Sequence, residues 1–483
     1  MIVLVTTLIY FSLLLLISRL TGRGGNDAFF RGNRQSPWPL VAFGMIGATL
    51  SGVTFVSVPG MVLSSNMGYM QMCLGYLLGY FAIAFILLPI YYGMNLTSIY
   101  TYLDHRFGKV SYKTGASFFL LSKLTGAAAR LYLVCLILQN YVFDDLGIPY
   151  IVTVLVTLLL IWLYTRKSGI RTLVWTDSLQ TLCFIITILL ILIKAAQMLD
   201  FNLSETWNAI WADGHSRIFE FSDWTSRNYF WKQFLSGIFI VIVMTGLDQD
   251  MMQKNLTCKN LKDAQKDMCV SGILFVPVIG LVMMLGVLMT LLYAHVGYDL
   301  PAAGDSLIPD FIASGVMGQW VLVFFTLGMI ASAFSSADSA LTALTTSFCI
   351  DILELEDKDR CHAKLKNFAP ERVRKTVHII MAALFVFFIM FFKALGSTSV
   401  IDVLLTMVSY TYGPLLGMYT FGIVSKRKPY EKLVPWIAIA SPIVCYLLDS
   451  YTSQAFGYKF GYELLILNGG LTYLGLYLSS YRK

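Results

Sequence analysis

Charge is scarce in this chain. Only 13% of its 483 residues are Asp, Glu, Lys or Arg, about half the share of a soluble globular protein. No segment is long and polar enough to be a separate soluble domain. A length that would ordinarily suggest two to four soluble domains therefore suggests one polytopic membrane unit. The net charge of +7 does not signal nucleic acid, because no basic patch is interleaved with aromatics. The eight cysteines form no C-x-x-C and mostly fall in apolar runs, which suits free structural thiols. The five histidines show no metal-ligand spacing. H-E-x-x-H, G-x-S-x-G and G-x-x-x-x-G-K-[ST] are all missing, which weighs against a membrane enzyme and a nucleotide-driven pump. The opening run MIVLVTTLIYFSLLLLIS has no positive n-region before it and no A-x-A after it. It predicts a retained first helix rather than a signal peptide.

What is abundant is hydrocarbon: 57% of the residues are hydrophobic. Spanning a bilayer takes about 20 apolar residues. Thirteen runs approach that length, at roughly 2–20, 39–65, 69–95, 114–142, 149–166, 171–200, 230–252, 265–297, 312–350, 373–395, 400–424, 432–452 and 460–480. Taken on alternate loops, 27 of the 35 Lys and Arg residues fall on one side, Lys254 and Arg374 among them, and six on the other. The rich side is cytoplasmic by the positive-inside rule, so the N-terminus is expected outside and the C-terminus inside. Lys123 and Arg130 lie within the fourth run; Lys123 is long enough to snorkel to a membrane boundary. The longest extramembrane stretch, 201–229, carries Trp207, Trp211 and Trp224, residues expected at the membrane interface.

Several polar groups sit where hydrocarbon is expected. In SAFSSADSALTA, Ser332, Ser335, Ser336, Ser339 and Thr342 recur at steps of three or four and share one helical face, with Asp338 to one side. An Asp at mid-membrane costs roughly 2.5–3.5 kcal/mol on the insertion scale. Hard cations take oxygen ligands, so this face suits Na⁺; helix–helix contact explains one or two hydroxyls but not the acid. The second run, MIGATLSGVTFVSVPGMVL, is rich in Gly and carries Pro59. It reads either as an unwound helix with free carbonyls near the midplane or as an ordinary kink. Asp177, in RTLVWTDSLQT, is either an interfacial partner of Arg171 or a buried acid. Arg130 needs an anion, in the protein or in a solute. Asp248 and Asp250 are expected in a cytoplasmic gate or in loop ion pairs.

Together, SGVTFVSVPG, TSIYTYLDHRFG, TDSLQ, GLDQDMMQKNL and SSADSALTALTTSFCIDIL give the chain a resemblance to the sodium/solute symporter family, over nearly its whole length. The resemblance implies an all-α integral membrane protein of about 13 transmembrane helices with the leucine-transporter-type five-plus-five inverted repeat. Residues 1–38 would form an extra helix and cytoplasmic loop, 39–200 the first repeat, 201–229 an extracellular loop, 230–424 the second repeat and 425–483 two further helices. It implies a sodium site made by Gly47, Leu50, Ser332, Ser335 and Ser336, and a second at Asp177, Ser335, Asp338 and Ser339. It places Ser51, Thr54, Tyr69, Gln71 and Arg130 against the solute. Arg130 stands where sialic-acid-carrying members have an arginine. VIVMTG, Val241 to Gly246, replaces the asparagine and aromatics of sugar carriers.

The expected activity is alternating-access import of a small polar, carboxylate-bearing solute with Na⁺ across a bacterial-type cell membrane, with no enzymatic step. A neutral sugar, a polyol or an amino acid such as proline is the alternative cargo. A proton-coupled carrier with Asp338 or Asp177 as relay, and a non-transporting sensor, are the alternative mechanisms. The expected partners are solute, Na⁺ and lipid, and not nucleic acid; oligomeric state stays open.

Overall fold

The computed structural model describes residues 2–21, 25–144, 147–165, 169–355, 369–395 and 400–481. The chain is a bundle of helices; the strands among the described residues are a two-residue pair, Lys428–Pro429 against Ser480–Tyr481. In chain order the helices used below are α1 (Ile2–Thr21), α2 (Trp38–Thr49), α3 (Gly52–Gly60), α4 (Tyr69–Ala82), α5 (Lys109–Leu138), α6 (Tyr150–Thr165), α7 (Ile170–Met198) and α8 (Leu203–Ala212). They continue with α9 (Phe230–Val241), α10 (Gln249–Asn255), α11 (Leu261–Val296), α12 (Gln319–Ser347), α13 (Pro370–Leu395) and α14 (Val400–Thr411). Seven helices among the described residues are long and apolar enough to cross a membrane, or nine if each bent pair counts as one span. Four shorter apolar helices accompany them.

The surface explains why these helices need lipid. Leu155, Leu159, Leu182, Ile193, Phe387, Ile443 and Leu447 all project outward, well exposed. Water would penalise that apolar area at about 25 cal/mol per Å², whereas a bilayer accepts it. Inside, close approach replaces hydrophobic contrast as the packing device. α4 and α9 cross at Gly237, where a Cβ would sit 2.2 Å from the Met72 carbonyl oxygen. The 201–229 stretch is not a bare loop. It holds α8, opened by a capping box in which the Asn202 side chain accepts from the Glu205 amide and Glu205 accepts from the Asn202 amide. Trp207, Trp211 and Trp224 are exposed there.

Two spans are broken. α2 and the helix beginning at Gly52 meet at 55°, and the span from Phe230 to Gly246 meets α10 at 69°. The first break falls within the Gly-rich run and resolves that run as an unwound helix rather than a simple kink. The second was not legible in the sequence, which reads as one apolar run through residue 252.

Three charged residues lie where loop or boundary placement was expected and do not belong there. Lys123 does not snorkel; it is buried between two carboxylates. Lys254 is buried in α10. Arg374 is buried in α13, its guanidinium 4.3 Å from the Phe29 ring centroid. Lys254 and Arg374 are therefore interior charges and carry no topology signal. Lys358, Arg360, Lys364 and Lys366 fall outside the described residues.

Candidate functional site

The first break sets the geometry. α2 ends at Thr49, and Leu50 (φ −80°, ψ 80°) and Ser51 (φ −76°, ψ 171°) leave helical conformation before α3 begins. The Leu50 carbonyl is thereby released from the helix ladder, and the Ser332 hydroxyl of α12 donates to it at 2.6 Å. Gly47, one turn earlier, is where α2 lies against α7. A Cβ there would sit 1.9 Å from the Thr181 hydroxyl oxygen, so only glycine lets the carbonyl-bearing helix end sit this close. Ser335 and Ser336 follow Ser332 on α12 and are buried. The Ser335 hydroxyl donates to Asp177 Oδ1 at 2.9 Å. The Ser336 hydroxyl is buried with no hydrogen-bond partner, an uncommon condition for a buried polar atom. The break and the hydroxyl face of α12 thus meet directly.

The four residues expected at a second sodium site form two hydrogen-bonded pairs, Ser335 with Asp177 and Ser339 with Asp338. Asp177, fully buried, gives its other oxygen, Oδ2, to the Lys254 ammonium at 2.8 Å. Its ion-pair partner is thus Lys254 and not Arg171. Asp338 accepts from the Tyr164 hydroxyl at 2.6 Å and from its neighbour Ser339 at 3.2 Å. Tyr164 and Lys254 are the residues that sequence reasoning missed. Tyr164 gave no signal, being one aromatic in an apolar helix. Lys254 gave a faint one, its i,i+4 spacing from Asp250.

Below the break, α5 and α10 are bolted together. Lys123 Nζ lies 3.0 Å from Asp248 Oδ2 and 2.7 Å from Asp250 Oδ2, and the Tyr412 hydroxyl donates to Asp248 Oδ2 at 2.8 Å. Asp248 and Asp250 therefore form ion pairs, but in the interior rather than in a loop. Asp248 also caps α10 by accepting from the Asp250 amide.

A cavity of about 90 Å³ lies against the break, lined by Ser51, Thr54, Tyr69, Arg130, Lys123 and Asp248 among others. Tyr69 is shared with a wider vestibule of about 630 Å³, bordered by Ser64, His215, Arg227 and Asp305. Four of the five residues expected against the solute, Ser51, Thr54, Tyr69 and Arg130, meet in the smaller cavity. Gln71 does not line it. Its amide donates to the Asn228 carbonyl at 2.9 Å and accepts from the Glu220 amide at 3.0 Å, so it anchors the 201–229 segment. Among the described residues no carboxylate lies within ion-pair distance of Arg130.

The sequence matches the family model "sodium:solute symporter family" over residues 29–431. The chain belongs to that family. Among curated relatives, the sodium/sialic acid symporter SiaT of Proteus mirabilis is 25% identical over 446 residues, which cover 89% of this chain and 85% of the relative. The sodium-coupled monocarboxylate transporter 2 of Danio rerio is 23% identical over 82% of this chain. The human sodium/iodide cotransporter is 24% identical over 86% of it. The chain spans 62% and 65% of those two relatives' own lengths. Among solved structures, the substrate-bound outward-open state of a Na⁺-coupled sialic acid symporter superposes with a TM-score of 0.82, covering 100% of this chain and 99% of that one at 20% identity. The closed conformation of Mhp1, a nucleobase-cation-symport-1 family transporter, superposes at 0.59 with 15% identity over 94% of each. This symporter-family chain therefore has the fold of these transporters.

Proposed function

We propose that the chain is a sodium-coupled symporter that imports a small carboxylate-bearing solute by alternating access. The observation that carries the cargo class is Arg130, which lines the cavity together with Asp248 but has no carboxylate within ion-pair distance among the described residues. A guanidinium held there needs an anion, and it matches a carboxylate through two parallel N–H donors. The amide end of α3 opens at Gly52 beside the same cavity, and a helix N-terminus favours negative charge. Ser51, Thr54 and Tyr69 supply the neutral polar contacts. The cavity volume corresponds to roughly six to nine waters, which suits a compact solute. The relatives that carry sialic acid and monocarboxylates agree with that class.

Na⁺ enters the mechanism through the Gly47 and Leu50 carbonyls, the Ser332 carbonyl and the Ser335 and Ser336 hydroxyls, all hard oxygen donors. The Ser336 hydroxyl without a partner is the observation that favours a missing cation. The α2 carbonyl end, negative by its dipole, adds to the attraction. The Lys123–Asp248–Asp250 pairs close the cytoplasmic side, while the vestibule opens beyond Tyr69. Opening inward then requires those pairs to part.

The same reading takes the nine spans and the shorter apolar helices as thirteen crossings. It places the repeats at 39–200 and 230–424, the N-terminus outside and the C-terminus inside a bacterial-type plasma membrane. The test is uptake into proteoliposomes under an imposed Na⁺ gradient, with acidic sugars, short monocarboxylates, neutral sugars and proline as the panel. Accumulation of carboxylates that collapses in K⁺ is the expected result. Uptake of neutral solutes alone, or uptake indifferent to Na⁺, overturns the proposal.

A further inference from the structure

We propose that the Lys254 ammonium takes the place of a second sodium ion at Asp177, so that each transport cycle carries a single Na⁺. The inference rests on the sodium-symport reading above and specifies its stoichiometry. Asp177 lies deep between α7, α10 and α12, and both of its oxygens are committed. Oδ1 accepts from Ser335 at 2.9 Å, and Oδ2 is 2.8 Å from Lys254 Nζ. A cation-binding carboxylate is useful to Na⁺ only while its charge is uncompensated. Here a positive charge is already covalently tethered at ligand distance, and a second monovalent cation beside it would meet direct like-charge repulsion in a site without water screening. The packing leaves little slack: a Cβ on Gly44 would approach the Asp177 Cβ to 3.2 Å. The other acid of the group offers no substitute, since Asp338 is engaged by Tyr164 and Ser339 and shares no ligand with Asp177.

The position of Lys254 makes the tethered charge mechanically useful. It stands on α10, the half-helix beyond the second break, and Asp177 stands on α7. Breaking their pair lets α10 move, and a waiting partner receives the ammonium: Asp250 Oδ1, one turn away on the same helix, at 3.8 Å. Lys254 can thus leave Asp177 during the conformational change, as a released ion would, without leaving the protein. With a monoanionic solute and one Na⁺, the cycle moves no net charge.

The test is equilibrium binding of ²²Na⁺ to the detergent-purified full chain, counted per chain at saturation, so that no solute need be known. The wild type should bind one ion. Lys254→Met, which frees Asp177, should bind two, and Lys254→Arg, which restores a tethered cation, should return to one. Two ions on the wild type overturn the inference and leave the sodium-symport reading standing. One ion on a folded, monodisperse Lys254→Met protein likewise overturns the role of Lys254. No saturable Na⁺ binding to the wild type overturns the symport reading itself. Because the wild-type count decides on its own, the inference stays falsifiable even if the methionine variant does not fold.

Discussion

Replacing Arg130 by glutamine separates a solute ligand from a structural ion pair. Lys123 borders the same cavity, but Asp248 and Asp250 already hold its ammonium at 3.0 and 2.7 Å, so it cannot stand in. Losing one member of a desolvated, hydrogen-bonded charge pair costs about 2–5 kcal/mol. At about 1.4 kcal/mol per tenfold, affinity for a carboxylate solute should fall from about 30-fold to several thousand-fold. Arg130→Lys keeps the charge and loses the planar fork, so its loss should be smaller, about tenfold. The stability change has the opposite character. Arg130 has no carboxylate within ion-pair distance among the described residues, so removing its charge breaks no close ion pair. The glutamine variant should therefore melt close to the wild-type temperature. The assay is Na⁺-driven uptake of a carboxylate and its carboxamide analogue into proteoliposomes, with a thermal shift on the same preparations. If the variant keeps its carboxylate-over-amide preference within about threefold, or loses several degrees of stability, Arg130 is structural and the cargo assignment fails.

Three other substitutions probe neighbouring parts of the site. Ser336→Ala removes a hydroxyl with no partner inside the protein, so it should leave folding intact. Losing a cation ligand of about 1–2 kcal/mol should raise the Na⁺ concentration for half-maximal uptake about 5- to 30-fold. Ser335→Ala should do the same and also loosen Asp177; an unchanged Na⁺ response in both removes the site. Lys123→Met leaves Asp248 with only the Tyr412 hydroxyl and the Asp250 amide, and Asp250 with only Lys254 at 3.8 Å, and should destabilise the protein by about 3–5 kcal/mol, read as a lower melting temperature; a wild-type melt contradicts the bolt. Gln71→Ala should speed amide exchange across residues 217–222 while changing solute affinity less than about fivefold; a larger affinity loss would return Gln71 to the solute site.

The hydroxyl face of α12 was legible because its period of three to four is a helical one, independent of what packs against it. The break at Leu50 and Ser51 was legible for a related reason, since glycine and proline disfavour an unbroken helix wherever they fall. The second break escaped, because TGLDQDMM carries no proline and one glycine, and the hydroxyls that take up its freed Gly246 and Leu247 carbonyls, from Tyr91 and Tyr100, lie about 150 residues away. Charge misled most. Lys254 and Arg374 lie next to Lys- and Arg-rich loops in sequence, and a sequence cannot say whether a lysine one turn from a loop finds water or an aspartate. Gln71 failed differently: its helix was assigned correctly, but the 201–229 segment that claims its amide lies about 150 residues away.

The first break also accounts for coupling. It presents the carbonyl end of α2 to the hydroxyls of α12 and the amide end of α3 to the cavity that holds Arg130. On the proposed reading a cation and an anion bind on opposite lips of one two-residue interruption, where each attracts the other directly. Two unit charges about 8 Å apart at an effective dielectric of about 20 would attract each other by about 2 kcal/mol. That makes the coupling about 30-fold, and reciprocal by linkage. Saturating Na⁺ should therefore tighten carboxylate binding about 10- to 100-fold, and saturating carboxylate should tighten ²²Na⁺ binding by the same factor. A carboxamide analogue, seated in the same cavity without charge, should lose most of that mutual effect. Equal coupling for the acid and the amide would mean that the two sites communicate through closure of the helices and not through their charges.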